Sequence, residues 1–148
     1  MVDDVCIPVA SDVDMVPARA AARALAERLG FSRTDATLIA TAISEVGRNI
    51  LVHAGNGEIV LTARYEDGRC GLEVVARDEG PGISDLDAAL RDGYGSRGGL
   101  GLGLPGAKRL MDEFGIVSRL GEGTMVTMTK WRERDDLERL RESRAPDG

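Results

Sequence analysis

The chain has 148 residues, of which 43% are hydrophobic and 30% are charged, and this composition is typical of a single globular domain. Its formal net charge of −6 argues against general binding to nucleic acid or anionic lipid, because neither surface attracts an acidic protein. No apolar run approaches the length of a membrane span, and the acidic start at residues 1–4 is unlike a secretory leader. We therefore expect a cytoplasmic protein with protein or small-molecule partners.

A short strand and a helix are predicted at the start of the chain. Residues 5–9 read as an edge strand, because the proline within them cannot donate to a sheet ladder. Ser11 or Asp12 can cap a helix over residues 16–29. This segment is rich in alanine and is followed by Gly30, which suits a left-handed helix end.

A second helix follows. Ser32 and Asp35 resemble a capping box in which Asp replaces Glu, and apolar residues at helical spacing continue to about residue 52. Glu45 and Asn49 flank this apolar stripe and, being four residues apart, project from the same face of the helix. Taken singly, such side chains are usually only solvated, so their meaning depends on the rest of the chain.

The middle of the chain predicts a hairpin. Residues 57–65 alternate in polarity as a strand, the Asp-Gly pair at 67–68 is a turn signal, and residues 70–77 form the second strand. Asp78 lies where that strand ends.

A glycine-rich connection and a third helix come next. Residues 79–99 mix turns with a short helical piece at 86–90, and we interpret the run at 91–97 as a lid that closes over a ligand. Residues 100–113 read as a helix that begins at glycines and tolerates its proline in the first turn.

The last predicted elements are a closing hairpin and a tail. Residues 114–120 and 124–131 form the two strands, and residues 132–148 alternate acid and base as a solvated helix or docking arm. Cys6 and Cys70 stand alone, without a CxxC pair or paired histidines. We expect two reduced core thiols, and neither a disulfide framework nor a metal cluster.

Two familiar nucleotide motifs nearly match and are set aside. Gly101, Gly103 and Gly106 have the spacing of the dinucleotide fingerprint, but a polar loop precedes them where a buried strand is required. Residues 101–108 approach the P-loop pattern, yet an alanine separates glycine from lysine, and Arg109 takes the place of the required Ser or Thr.

Four short motifs stand in a definite order along the chain. They are Ser-Glu-Val-Gly-Arg-Asn at 44–49, Asp-Glu-Gly-Pro-Gly at 78–82, Gly-Gly-Leu-Gly-Leu-Gly at 98–103 and Gly-Glu-Gly-Thr at 121–124. In this order they resemble the N box, the two glycine boxes and the terminal Gly-x-Gly-Thr of the Bergerat-fold (GHKL) superfamily. That superfamily contains gyrase, heat-shock chaperones, MutL proteins and histidine kinases.

Within the superfamily the chain is most similar to the small serine/threonine kinases that regulate sigma factors, and in detail to the switch kinases of the stressosome (RsbT-type). The run at 104–114 and the Lys-Trp pair at 130–131 carry this likeness. It implies that residues 1–131 form an ATP-binding kinase domain and residues 132–148 a charged extension. The expected fold is a two-layer α/β sandwich with a mixed, mostly antiparallel sheet, helices on one face and a short ATP lid.

The resemblance also implies nucleotide-binding roles. Asp78 would accept a hydrogen bond from the adenine amino group, Gly82 would let the chain pass close to the base, and Thr124 would support the contact through its hydroxyl. Asn49 would hold Mg²⁺ through its side-chain oxygen, while backbone amides at a helix N-terminus receive the phosphates. The remaining nucleotide-binding residues implied are Gly80, Gly98, Gly99, Leu100, Gly101, Leu102 and Gly103.

Catalytic roles follow from the same resemblance. Glu45 would orient or deprotonate the attacking hydroxyl, and Arg97, at the end of the lid, would reach the γ-phosphate. Arg48 would either add positive charge near the site or pair with Glu45, and we favour the pairing. His53, the only histidine, is given no catalytic role.

The function implied is an ATP-dependent serine/threonine kinase of a sigma-factor pathway. It would phosphorylate STAS-domain antagonist proteins and, once released, activate a PP2C-type phosphatase, alone or in a stressosome-like assembly. The alternative is an anti-sigma factor that binds a sigma subunit and uses nucleotide to choose partners. Histidine kinase activity is disfavoured because no dimerisation helix with an acceptor histidine is present. Topoisomerase or chaperone activity would need further domains.

Overall fold

Five strands and three α-helices make up the part of the chain that the computed structural model describes, residues 4–83, 85 and 103–132. In chain order they are β1 (Val5–Val9), α1 (Met15–Arg28), α2 (Arg33–His53), β2 (Gly57–Glu66), β3 (Arg69–Asp78), α3 (Gly103–Leu110), β4 (Glu113–Arg119) and β5 (Gly123–Trp131). The whole of the predicted lid at 91–97, including Arg97, and the extension from residue 133 lie outside the described residues.

The five strands form one sheet in the order β1-β2-β3-β5-β4. Every pair of neighbours is antiparallel, so the mixed sheet that was expected is purely antiparallel in the described part of the chain. The reason is the position of β5. The segment containing α3 returns the chain so that β4 runs in the direction of β3, but β5 lies between these two strands and is antiparallel to both.

The core lies between one face of the sheet and the helices. Alternate residues of the strands point to this inner face, as the period of two requires. Strand and helix side chains form one buried apolar cluster, which includes Ile59, Leu61, Val74, Val126 and Met128 from the sheet and Ala22, Ile39, Ile43, Val46 and Leu104 from the helices. The predicted α/β sandwich with its helices on one face is confirmed.

Local signals account for most element boundaries. The Ser32 hydroxyl accepts a hydrogen bond from the backbone N–H of Asp35 at 3.0 Å, so the predicted cap does begin α2. Gly30 has φ +86° just after α1, as the prediction requires. The turn at Asp67 and Gly68 has positive φ at both residues, which matches the twist of a two-residue hairpin.

Two expectations were wrong. The third helix ends at Leu110, before the predicted residue 113, because Asp112 and Glu113 bond to β5. The Asp112 carboxylate accepts from the backbone N–H of Trp131 at 2.7 Å, and Glu113 already pairs with Thr129. Cys6 is not a core thiol: it lies on the outer face of β1, exposed, with its sulfur 2.7 Å from a Glu58 oxygen.

The outer face of the sheet carries a polar cluster around Trp131. The indole N–H donates to Glu113 at 2.6 Å, and the guanidinium groups of Arg64 and Arg69 lie 4.9 and 3.9 Å from the ring centroid. Arg64 also contacts Glu113 at 3.3 Å. This cluster closes the end of the sheet away from Asp78. No helix in the described part of the chain is long and apolar enough to cross a membrane.

Candidate functional site

Three polar side chains lie in one row on the inner face of the sheet. Asp78 pairs with Thr124 across β3 and β5, and Thr124 pairs with Ser118 across β5 and β4. Asp78 is 9% exposed and Thr124 is 4% exposed, although the neighbouring inner-face positions are apolar. Buried polar groups need hydrogen-bond partners or a ligand, so this row marks a candidate site.

The Asp78 carboxylate is only partly satisfied. Its Oδ1 atom accepts a hydrogen bond from the backbone N–H of Gly80 at 2.9 Å. Within the described residues no donor reaches Oδ2. A carboxylate can accept several hydrogen bonds, so Asp78 keeps an acceptor for a donor group that enters from outside.

The loop after Asp78 is held between α2 and the β4–β5 hairpin. A Cβ atom on Gly80 would lie 2.5 Å from the Cβ of Ala54, at the end of α2. Gly82 has φ +81°, and a Cβ there would lie 2.5 Å from the carbonyl oxygen of Arg119. Gly82 therefore lets the loop lie close against the hairpin, and its expected role beside the base stays a prediction.

Helix α2 contributes Glu45 and Asn49, and the structure buries both. Glu45 is 3% exposed and Asn49 is 8% exposed, so neither is the solvated shoulder residue that helix position alone predicts. In the part of the chain that the structure describes, no hydrogen-bond partner reaches the Asn49 amide. The Asn49 amide is therefore available to a ligand that enters the site.

Glu45 lies at the N-terminus of α3. Its Oε1 atom accepts a hydrogen bond from the backbone N–H of Gly103 at 2.9 Å, and Gly103 begins α3 with φ +57°. The first amides of a helix have no partner within the helix and favour negative charge. The carboxylate of Glu45 therefore occupies a position that an anion such as a phosphate would also favour.

The order of these groups along α2 defines the direction of the site. Helical rise is about 1.5 Å per residue, so Asn49 lies about 6 Å along the axis from Glu45, and Ala54 lies about 7.5 Å beyond Asn49. Ala54 contacts the loop after Asp78, whereas Glu45 contacts Gly103. An elongated ligand could therefore have one end at Asp78 and an anionic end beside Asn49 and α3.

The side chains at this site could bind a metal ion only if a bound ligand supplied most of the coordinating atoms. The described residues contain no group of three or more His, Cys, Asp or Glu side chains that could hold an ion. Asn49 offers a hard oxygen in a buried position, and Mg²⁺ is typically bound by one or two protein ligands together with substrate phosphates. The residues present fit an ion of that kind.

Ser118 is a residue of this site that sequence reasoning missed. Its hydroxyl contacts Ile83 and Thr124, both at 2.7 Å. A period-two reading of β4 could have found it. Phe114 and Ile116 point to the core, so the next inner-face position is 118, and a serine there is unexpected.

Other predicted residues are not brought to the site by the described structure. Glu45 contacts the backbone N–H of Gly103, and the favoured pairing of Arg48 with Glu45 stays a prediction. Arg97 and the glycine-box residues Gly98, Gly99, Leu100, Gly101 and Leu102 lie outside the described residues. Of that box, only Gly103 is described.

Residues 9–130 match the family model of the histidine kinase-like ATPase domain. The chain belongs to this family. Membership in the histidine kinase-like ATPase family implies the use of ATP and confirms the predicted superfamily.

Similar proteins narrow the class of enzyme within the family. The chain is 46% identical over 131 residues to the serine/threonine-protein kinase RsbT of Bacillus subtilis, a match that covers 88% of this chain and 98% of that protein. It is 33% identical over 120 residues to an anti-sigma F factor of Caldanaerobacter subterraneus, covering 77% of this chain and 82% of the relative. These likenesses confirm the expected enzyme class, a serine/threonine-protein kinase, and support a role in a sigma-factor pathway.

A solved structure has the same fold. The crystal structure of the RsbU and RsbW domains of Rv1364c from Mycobacterium tuberculosis matches 90% of this chain with a TM-score of 0.57 and 23% identity. The match covers 33% of that longer chain, so it extends over only part of its domains.

Proposed function

We propose that this protein is an ATP-dependent serine/threonine kinase that regulates a sigma-factor pathway. The observation that carries the proposal is the position of Glu45, a buried carboxylate at the N-terminus of α3, one helical turn from the buried side chain of Asn49. This arrangement supplies a base and an anion-binding helix end to the same small volume. Phosphoryl transfer needs little beyond such positioning and charge neutralisation.

Asp78 and Thr124 are proposed to bind adenine. The free oxygen of Asp78 would accept from the exocyclic amino group, and the row is buried enough to make an unmatched polar contact costly. The triphosphate would then run along α2 toward Asn49 and the backbone amide of Gly103. Arg97 is proposed to reach the γ-phosphate from the end of the lid.

The reaction joins a protein hydroxyl to the γ-phosphorus of ATP. The oxygen of a Ser or Thr side chain forms a bond to phosphorus while the bond between phosphorus and the β,γ-bridging oxygen breaks, and ADP departs. Glu45 would orient that hydroxyl and take its proton. Asn49 would hold Mg²⁺, which supplies neutralisation of phosphate charge when it is bound.

The partners proposed are STAS-domain antagonist proteins as substrates and a PP2C-type phosphatase as the target after release, within a stressosome-like assembly. Support comes from the resemblance to sigma-regulating kinases and from 46% identity to a kinase of that kind. A kinase that leaves its substrate once it has been phosphorylated can then bind a second protein, and this makes it a switch.

Two measurements test the proposal. Calorimetry with Mg-ADP should show binding by the natural chain and by an Asp67→Asn control in the distant β2–β3 turn, and loss of binding in Asp78→Asn, which replaces an acceptor by an amide. Radiolabelled ATP should label a STAS-domain partner, and Glu45→Ala should abolish the labelling. Binding retained in Asp78→Asn, or labelling retained in Glu45→Ala, contradicts the residue roles.

Direct binding of a sigma subunit is the second candidate, because the chain is also 33% identical to an anti-sigma F factor. Pull-down with nucleotide separates the two functions. A kinase of the switch type should retain STAS-domain proteins and the phosphatase, whereas an anti-sigma factor should retain a sigma subunit.

A further inference from the structure

Ser118 connects three parts of the candidate site. Its hydroxyl oxygen accepts a hydrogen bond from the backbone N–H of Ile83 at 2.7 Å, and it lies 2.7 Å from Thr124 Oγ1 and 3.3 Å from the carbonyl oxygen of Gly123. Ile83 belongs to the loop that follows Asp78, while Thr124 is the neighbour of Asp78 in the sheet. The Ser118 hydroxyl therefore connects the loop after Asp78 to the row of polar side chains that contains Thr124.

A count of protons leaves two directions for the contact between Ser118 and Thr124. The Ser118 hydroxyl has one proton, so it can donate to only one of the two oxygens, and it accepts from the N–H of Ile83 in either case. The 2.7 Å distance to Thr124 suits a good O–H···O bond in either direction, whereas the 3.3 Å distance to the Gly123 carbonyl is longer than the optimum. When Ser118 donates to Thr124, the proton of Thr124 is left for the pocket.

This direction matches the edge of adenine. The amino group of adenine is a donor, and the ring nitrogen beside it is an acceptor. In this direction the row presents Asp78, an acceptor, next to Thr124, a donor. Guanine presents a carbonyl and an N–H group in these places, so both contacts would be mismatched.

We propose that Ser118 is a positioning residue that determines purine specificity, by holding the Thr124 hydroxyl as a donor toward the ring nitrogen beside the adenine amino group. This inference rests on the proposed function, because it requires a purine at Asp78 and Thr124. It also explains why a hydroxyl is found on β4 at an inner-face position that follows two apolar residues.

The probe is a pair of nucleotides that differ at one atom. ADP and its 1-deaza analogue, in which a C–H group replaces the ring nitrogen, are titrated calorimetrically into the natural chain and into Ser118→Ala. One neutral hydrogen bond corresponds to about 3- to 10-fold in affinity, so the natural chain should prefer ADP by about that factor. Ser118→Ala should bind both nucleotides about equally, with the affinity for the analogue unchanged.

Three further variants separate positioning from stability. Ser118→Thr keeps the hydroxyl and should restore the preference. Thr127→Ala removes a hydroxyl from the outer face of β5 and should leave it unchanged. If alanine unfolds the protein, Ser118→Cys keeps the size with a weak donor, and its preference should fall toward one.

If Ser118→Ala lowers the affinities for ADP and for the 1-deaza analogue equally, so that the preference for ADP is kept, the inference is overturned, because a serine with only a structural role would have that effect. A natural chain that binds ADP and the analogue equally would also overturn it while leaving the proposed function intact. Binding of neither nucleotide by the natural chain would instead contradict the proposed function.

Discussion

Replacing Glu45 by glutamine should strengthen nucleotide binding while it greatly slows phosphoryl transfer. The Glu45 carboxylate accepts from the Gly103 N–H at 2.9 Å, so it must give up this charge-assisted hydrogen bond, typically about 1.5–3 kcal/mol, when a phosphate takes that amide. It also repels the arriving phosphate: two unit charges about 5 Å apart interact by about 3 kcal/mol at an effective dielectric constant of about 20. Part of the lost hydrogen-bond energy and part of the repulsion are offset by other contacts in the complex. We therefore expect an affinity gain of about 10-fold, or about 1.4 kcal/mol.

The assay is calorimetry with Mg-ADP, paired with transfer of labelled phosphate to a partner protein. Transfer should fall by about 10²- to 10⁴-fold, the usual contribution of a positioned base. Stability should fall by about 1 kcal/mol, because α3 loses an anion at its N-terminus. Glu27→Gln removes the same charge from the exposed side of α1 and serves as the control. Weaker nucleotide binding in Glu45→Gln, with Glu27→Gln unchanged, would refute the competition between carboxylate and phosphate.

Three further predictions concern the loop, the outer face and the exposed thiol. Gly80→Ala should destabilise the protein by about 1–3 kcal/mol in urea unfolding, because its Cβ would press on Ala54, whereas Gly115→Ala, with open space around it, should change stability little. The hydrogen bond from the Trp131 indole holds the pKa of Glu113 below its usual range, so this bond stabilises the fold above that range and is lost as pH falls through the lowered pKa. The fluorescence of Trp131, the single tryptophan, should therefore change with pH at that lowered pKa, and a change that persists in Glu113→Gln would contradict this. The hydrogen bond to Glu58 raises the pKa of Cys6, so in a Cys70→Ser background the pH midpoint of Cys6 alkylation should lie above that of a free thiol. The midpoint should move down in Glu58→Gln, and an unchanged midpoint would show that Glu58 does not control the pKa of the thiol.

Elements with local signals could be predicted closely. Ser32 caps α2 through the N–H of Asp35, and the Asp-Gly turn at 67–68 joins β2 to β3, because both signals depend on residues within a few positions of each other. The third helix could not be bounded in this way. Its end is set by the hydrogen bonds of Asp112 and Glu113 to Trp131, nearly twenty residues further along the chain. Helix propensity is a property of the local sequence and does not include contacts with residues so far away.

The candidate site was predictable in its residue types and less so in its contacts. The spacing of Glu45 and Asn49 placed them on one helix face, but their burial depends on α3 packing against α2. For the same reason the contact of the Glu45 carboxylate with the N-terminus of α3 was not predicted, because that helix end belongs to a distant segment of the chain. Ser118 was missed because its partners, Ile83 and Thr124, come together only when three strands are in register.

The order of the strands has a consequence for how the pocket comes into being. Asp78 and Thr124 are cross-strand partners although 46 positions separate them in the chain, and each belongs to a different hairpin. Closing so long a loop carries an entropy cost that neither hairpin incurs alone, so we expect this seam to join late in folding. Of the two residues proposed to contact the purine, one lies on each side of this seam. A chain in which β3 and β5 have not yet paired therefore has no complete pocket, and a bound nucleotide would stabilise the pairing of the two hairpins.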